Sequence, residues 1–290
     1  MIDKGAITIG NIARCGSLAV APVYASDDFR EDVLMLDKAM ESKDKFGVKE
    51  SGSVGKLYII NRLDDKVFIA CGALVEGASQ NRYSVYPSLI MPHSNVELPV
   101  NCAEERQGLL GGHMGRYGRS PTIVMPSIRG GEVSQHDTWN RIMHTTVILN
   151  RLNPTRDYSY AEKHTNVDDY IEAVGPPRDG QVGIVAGIRD GERTIFYTDF
   201  FGNQKMLGEL HPKLAKSFGI VARVHEGNAD RVSTDDLVSF LRSIEAASGK
   251  RKDHVGGGEL YVIESPVKGS ILAYEDRTVQ VTMRQDWKQN

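Results

Sequence analysis

The sequence predicts an α+β fold built largely from antiparallel sheet. Three observations carry this. Strand-like runs outnumber helical ones, several come in pairs around short polar turns, and the elements do not alternate strand–helix–strand as a parallel sheet requires. The 290 residues, 40% hydrophobic and 25% charged, suffice for one large globular domain. We read 1–290 as a single domain with room for two lobes, 1–107 and 136–290, joined by a Gly-, Pro- and Arg-rich connection.

Residues 7–24 alternate short apolar runs with glycine, which predicts two strands, the second at Ser17–Tyr24. "SDDFREDVLMLDKAME" predicts a helix capped by Ser26 or Asp27, with Val33, Leu34, Leu36 and Met40 on one stripe. "KLYII" and "KVFIACG" flank "NRLDD", the pattern of a hairpin. "RYSVYPSLIMP" and "NVELPVNC" flank "HS" in the same way, and Pro87 and Pro92 keep the first run near an edge or a bulge. Residues 108–134 read as a long surface connection with one strand at Thr122–Met125.

"SQHDTWNRIMHTTVILNRL" predicts a helix capped by Ser134, with Trp139, Ile142, Met143 and Val147 on its apolar face. Residues 153–180 read as irregular apart from a short helix at Val167–Ala173. The clearest local signal is "VGIVAGI", "RDGE", "RTIFYTDFF". It predicts a hairpin over 183–200 turning at Asp190–Gly191, because Asp-Gly accepts the positive φ angles of a type I′ turn. "QKMLGELHPKLAKSFGI" predicts a helix that Pro212 distorts or divides. "STDDLVSFLRSIEAA" predicts another, capped by Ser233 or Thr234, burying Leu237, Phe240, Leu241 and Ile244 and stopped by Gly249. "ELYVIES", "GSILAYED" and "TVQVTMR" predict three closing strands.

Composition excludes some functions. A net charge of −3 gives no bulk attraction to nucleic acid or acidic membranes. No apolar run approaches the ~20 residues that span a bilayer. "SLAVAPVYA" mimics the end of a signal peptide, but Asp3, Asn11 and Arg14 interrupt the apolar region it needs, so the expected location is cytoplasmic. Cys15, Cys71 and Cys102 are an odd number without a CxxC pair, which points to reduced, buried thiols rather than a disulfide framework. Cys102 as a nucleophile would need a lowered pKa, and the sequence names no partner to supply it.

The eight histidines show no metal-binding spacing, so neither metal nor cofactor is expected. No GxSxG elbow is present. The Gly-rich "GGHMGRYGR" lacks the P-loop pattern.

Two polar clusters bracket the second predicted hairpin. Glu76, Gln80, Asn81 and Arg82 follow a strand end, and an acid, two amides and a guanidinium can together hold a carboxylate, a phosphate or a base edge. The everyday alternative is a self-satisfied polar turn, the commoner use of such groups. "NCAEERQ" is the second cluster: in an extended chain Cys102, Glu104 and Arg106 share one face. A hairpin returns its ends to one place, so the two clusters should meet.

At these residues the chain resembles the ARG and rhodanese-phosphatase-superfamily-associated protein domain family. Gly72, Glu76, Gly77, Gln80, Asn81 and Arg82 match its first motif, and Cys102, Glu104 and Arg106 its second. The likeness continues through "CGSLAVAPVY", "SQHDTWNRI", "GQVGIVAGI" and "HPKLAKSF", covering about Ile9 to Val281. Ala73 and Ser79 stand where the family carries an acidic and a basic residue. The resemblance implies one family domain and adds no reaction.

The reading that follows is a protein binding a small anionic or nucleotide-like ligand through Gln80, Asn81, Arg82 and Arg106. One alternative is a hydrolase or transferase on a nucleotide-derived substrate, with Glu76 or Glu104 as acid/base. Another is a structural subunit of an assembly; a homo-oligomer is compatible with either.

Overall fold

The computed structural model describes residues 7–25, 29–77, 80–105 and 134–285. The first part runs β1 (Thr8–Ile9), β2 (Ala13–Cys15), β3 (Leu18–Tyr24), β4 (Val33–Met35), α1 (Leu36–Glu41), β5 (Phe46–Glu50), β6 (Lys56–Asn61), β7 (Lys66–Ile69), β8 (Leu74–Val75), β9 (Arg82–Ser84), β10 (Ser88–Ile90) and β11 (Ser94–Cys102). The second runs α2 (Gln135–Ile148), α3 (Tyr158–His164), α4 (Asp168–Val174), β12 (Gly183–Asp190), β13 (Arg193–Phe201), α5 (Gln204–Val224), α6 (Thr234–Glu245), β14 (Lys250–Lys252), β15 (Glu259–Ile263), β16 (Lys268–Tyr274) and β17 (Arg277–Gln285). The fold is α+β: every strand pair is antiparallel except β4 with β7.

A nine-stranded sheet in the order β1-β3-β12-β13-β17-β16-β15-β14, with β2 beside β3, gathers strands from both ends of the chain. Its two faces carry two cores. Ile184, Ala186 and Ile188 of β12 meet Leu207, Leu214 and Phe218 of α5 on one face. Val185, Phe200 and Val281 meet Leu237, Phe240 and Ile244 of α6 on the other. Strand alternation sends neighbouring residues to opposite faces, so both cores can be built from the same strands. Burying each large side chain contributes about 1.5–3 kcal/mol. Phe68, Leu74 and Tyr83 join the α5-side core, which packs the smaller sheets against the large one.

The 183–201 hairpin forms, but its turn lies one residue further on. Asp190 pairs with Arg193, leaving Gly191–Glu192 as the loop. Only Gly191 has positive φ (58°), as a Gly-led type II′ turn requires. The I′ pattern occurs instead between β16 and β17, where Glu275 and Asp276 have φ of 49° and 60°.

Ser134 and Ser233 cap α2 and α6, the latter with a full capping box to Asp236. In α2 the buried face is Thr138, Ile142, Thr145 and Thr146, while Val147 is 53% exposed. The apolar stripe named Val147 wrongly because threonines hold the inward positions: Thr138 bonds Tyr83 and Asn101 of the strands, and Thr146 bonds the carbonyl of Met143 in its own helix. Pro212 does not divide α5, which is continuous over Gln204–Val224. The proline lies on the exposed side, where a helix can bend convex to solvent and relieve the clash.

Four expectations are corrected. Val33 and Leu34 belong to β4, and helix begins only at Leu36. The proposed caps Ser26 and Asp27 lie outside the described residues. "KLYII" and "KVFIACG" do not form a hairpin: β6 pairs with β5 and β11, whereas β7 lies between β10 and β4. Val67, Phe68 and Ile69 are all buried, as suits a central strand with both faces covered. Asn61 closes the connection instead, donating to the carbonyls of Asp65, Ile90 and Met91. The second hairpin splits at Pro87, with β9 pairing to β11 and β10 to β7. Finally, residues 153–180 contain α3 as well as α4. The expected strand at Thr122–Met125 lies outside the described residues.

Candidate functional site

The far end of β11 folds back on β9, so Cys102 stands opposite Arg82 and Asn101 opposite Tyr83. This brings Gln80, Asn81 and Arg82 beside Cys102, Glu104 and Glu105. Arg106 lies outside the described residues. The pairing is locked by backbone bonds: Ala103 N–H donates to Asn81 O at 2.9 Å, and Tyr158 N–H to Ala103 O at 3.0 Å. Gln135 of α2 clamps the strand end, accepting from Cys102 N–H and donating to Cys102 O.

The amides are engaged. Gln80 Nε2 donates to the carbonyls of Glu104 (3.1 Å) and Glu105 (3.4 Å), while its Oε1 accepts from Cys102 Sγ. Asn81 Oδ1 accepts from Gly77 N–H at 3.0 Å, and Nδ2 donates to Asp157 Oδ1 (3.0 Å) and Ser159 Oγ (3.2 Å). Both amide hydrogens of Asn81 and one acceptor position of its oxygen are therefore engaged. Both residues position the cluster rather than face out of it.

The carboxylates are mostly paired. Lys163 sits 2.8 Å from Glu76, and Arg156 donates to Glu105 at 2.5 Å. Lys216 of α5 approaches Glu162 to 2.6 Å. Burial pushes the Glu162 carboxyl up, and Lys216 opposes this. Among the described residues Glu104 has no cationic partner within ion-pair distance. Its Oε2 accepts from Asn81 N–H at 3.3 Å. Burial raises its pKa, more than the Thr155 hydroxyl, the Asn81 N–H and the Arg82 charge lower it; Asp157 raises it further. Cys102 is buried and undisulfided, and burial keeps it a thiol although Arg82 pulls the other way.

Arg82 is the exception in this cluster. It is 4% exposed, and its Nε and Nη1 are buried with no hydrogen-bond partner. Among the described residues no carboxylate lies within 4.0 Å of the guanidinium. A guanidinium cannot shed its proton to escape burial, so its desolvation stands uncompensated.

A family model matches residues 6–284 of this chain, nearly its whole length. The chain belongs to the ARG and Rhodanese-Phosphatase-superfamily-associated Protein domain family. No curated protein and no solved structure matches it. In this family member both motifs meet at one strand pair, with Arg82 and Glu104 at their junction.

Sequence reasoning missed the third side of the site, Thr155, Arg156, Asp157, Ser159 and Lys163. A usable signal was present: Asp157 caps α3, accepting from Ser159 N–H. Among the described residues no group of three His, Cys, Asp or Glu side chains is placed to hold a metal ion, and no helix is long and apolar enough to cross a membrane. A cavity of about 30 Å³ between Met35, Phe68, Leu74 and Leu210 is lined also by Asp37, Glu209 and Lys213 and holds none of the groups above.

Proposed function

We propose that this chain binds a small anionic ligand at Arg82, with Gln80 and Asn81 holding the start of the strand that carries it. A nucleotide-like ligand is one member of that class. The observation that carries the reading is the buried guanidinium whose Nε and Nη1 find no hydrogen-bond partner among the described residues. An unpaired buried charge is costly, and an anion bound there would supply the missing hydrogen bonds. The test is a thermal-shift screen of small anions against the wild type and Arg82→Met. A ligand bound only by the folded state raises apparent stability, so hits should stabilise the wild type and leave the variant unmoved. Hits that stabilise both equally would remove Arg82 from the site.

The second reading is a hydrolase or transferase with Glu104 as acid/base. Its support is a carboxyl whose proton affinity burial has raised, next to a guanidinium that can hold a substrate anion. Glu76 suits that role less well, because Lys163 pairs with it. A purely structural role would leave the polar groups paired internally; Gln80 and Asn81 fit that description and Arg82 does not.

A further inference from the structure

The charge around Arg82 suits some anions better than others. From β9 comes Arg82 itself, and from β11 the neutral Cys102 thiol. Glu104 follows β11 two residues after Cys102, the partner of Arg82, and its Oε2 accepts from the N–H of Asn81, the residue before Arg82. From the segment leading into α3 come the Thr155 hydroxyl and Asp157, the latter tied to Asn81 and Ser159. Glu105, Glu76 and Glu162 already have Arg156, Lys163 and Lys216. Among the described residues this leaves one cation, Arg82, and two carboxylates, Glu104 and Asp157, without ion-pair partners. The local sum is negative while Glu104 is ionised and zero when it is protonated. A doubly charged phosphate would meet two carboxylates across one guanidinium. A singly charged, planar carboxylate meets a balanced site once Glu104 holds a proton.

We propose that the anionic group bound at Arg82 is a carboxylate rather than a phosphate, and that its binding takes up one proton on Glu104. The ligand's first oxygen accepts from the Arg82 guanidinium and its second from the Glu104 O–H. Glu104 Oε2 accepts from Asn81 N–H at 3.3 Å, which holds the carboxyl beside the residue that precedes Arg82. Two carboxyl groups sharing a proton beside a cation is a stable arrangement, whereas two carboxylates side by side repel. This inference rests on the anion-binding reading and narrows its ligand class.

The experiment uses the full-length chain labelled with nitrogen-15. The Arg82 Nε–H resonance is assigned by its loss in Arg82→Lys, then followed during titration with acetate and, separately, inorganic phosphate. Acetate should move the resonance with an apparent affinity that rises roughly tenfold per pH unit as pH falls from about 8 toward the Glu104 midpoint. Phosphate at about pH 8, where it is a dianion, should bind at least about tenfold more weakly, since like charges at a site disfavour it. Calorimetry of acetate binding in two buffers of different ionisation heat should report proton uptake. Glu104→Gln, whose amide still donates, should keep acetate binding and lose the pH dependence. Phosphate binding more tightly than acetate, or acetate binding without proton uptake, would overturn the carboxylate assignment while leaving Arg82 an anion site. If neither anion moves the Arg82 resonance, the anion-binding reading itself fails and this one falls with it.

Discussion

Arg82 and Arg189 are both buried, at 4% and 7% exposure, and both lie on antiparallel strand pairs. Arg189 closes its own hairpin. Its Nη1 donates to Thr194 Oγ1 at 2.9 Å and its Nη2 to Gly191 O at 2.8 Å, and Glu192 stands 3.7 Å away. Those partners lie within five residues of it, so forming the turn holds both terminal nitrogens, although Nε is buried without a partner among the described residues. Arg82 has neighbours of the right kind, but they are committed elsewhere: Glu105 to Arg156, Glu76 to Lys163, Gln80 and Asn81 to backbone and to Asp157. A buried arginine with local partners belongs to the fold. A buried arginine with which even the unpaired Glu104 and Asp157 make no ion pair among the described residues is, on the anion-binding reading, left for a ligand.

The largest expected effect separates the two by binding. Arg82→Met should weaken any anion found in the screen by about 2–5 kcal/mol, the usual loss for half of a buried charged pair, while Arg189→Met leaves affinity unchanged. Calorimetric titration of both variants decides. Equal affinities for wild type and Arg82→Met would end the distinction.

Stability should invert the order. Arg189→Met should cost about 2–4 kcal/mol in urea unfolding, because it removes two hydrogen bonds from a charged donor and leaves the turn carbonyl of Gly191 without one of its partners. Arg82→Met, measured without ligand, should be neutral or gain about 1–2 kcal/mol, since an unpaired buried charge is replaced by an apolar chain of similar size. Loss of folding in Arg82→Met would make Arg82 structural after all.

The smallest effect tests Glu104. Burial raises its folded pKa above the unfolded value. Between those two values the native state carries the extra proton, so stability falls as pH rises through the window. Glu104→Gln removes this contribution. It should raise the melting temperature at neutral pH and lose that advantage below about pH 4, where both states of the wild-type carboxyl are protonated. An advantage that persists unchanged at low pH would assign it to packing instead.

Local signals in the chain were sufficient for much of this. The Gly191 hairpin, the Ser134 and Ser233 caps, the three closing strands and the meeting of Gln80–Arg82 with Cys102–Glu104 follow from patterns a few residues long, or from one strand returning along another. Such features depend on backbone conformation and on side chains reaching neighbours in sequence, so the order of residue types determines them. Strand partners beyond the tight turns were a different matter. "KLYII" and "KVFIACG" look like mates, yet β6 and β7 enter different sheets, because a run buried on both faces gains most from lying between two other strands. Which groups at the site are saturated was decided only by tertiary structure. Asp157 and Lys163 arrive from α3, far along the chain, and their arrival occupies Asn81 and Glu76 while passing Arg82 by. Sequence composition supplied the charges; only the packing of distant segments determines which of them find a partner before the core closes, since a charge's free energy depends on what surrounds it once water is gone.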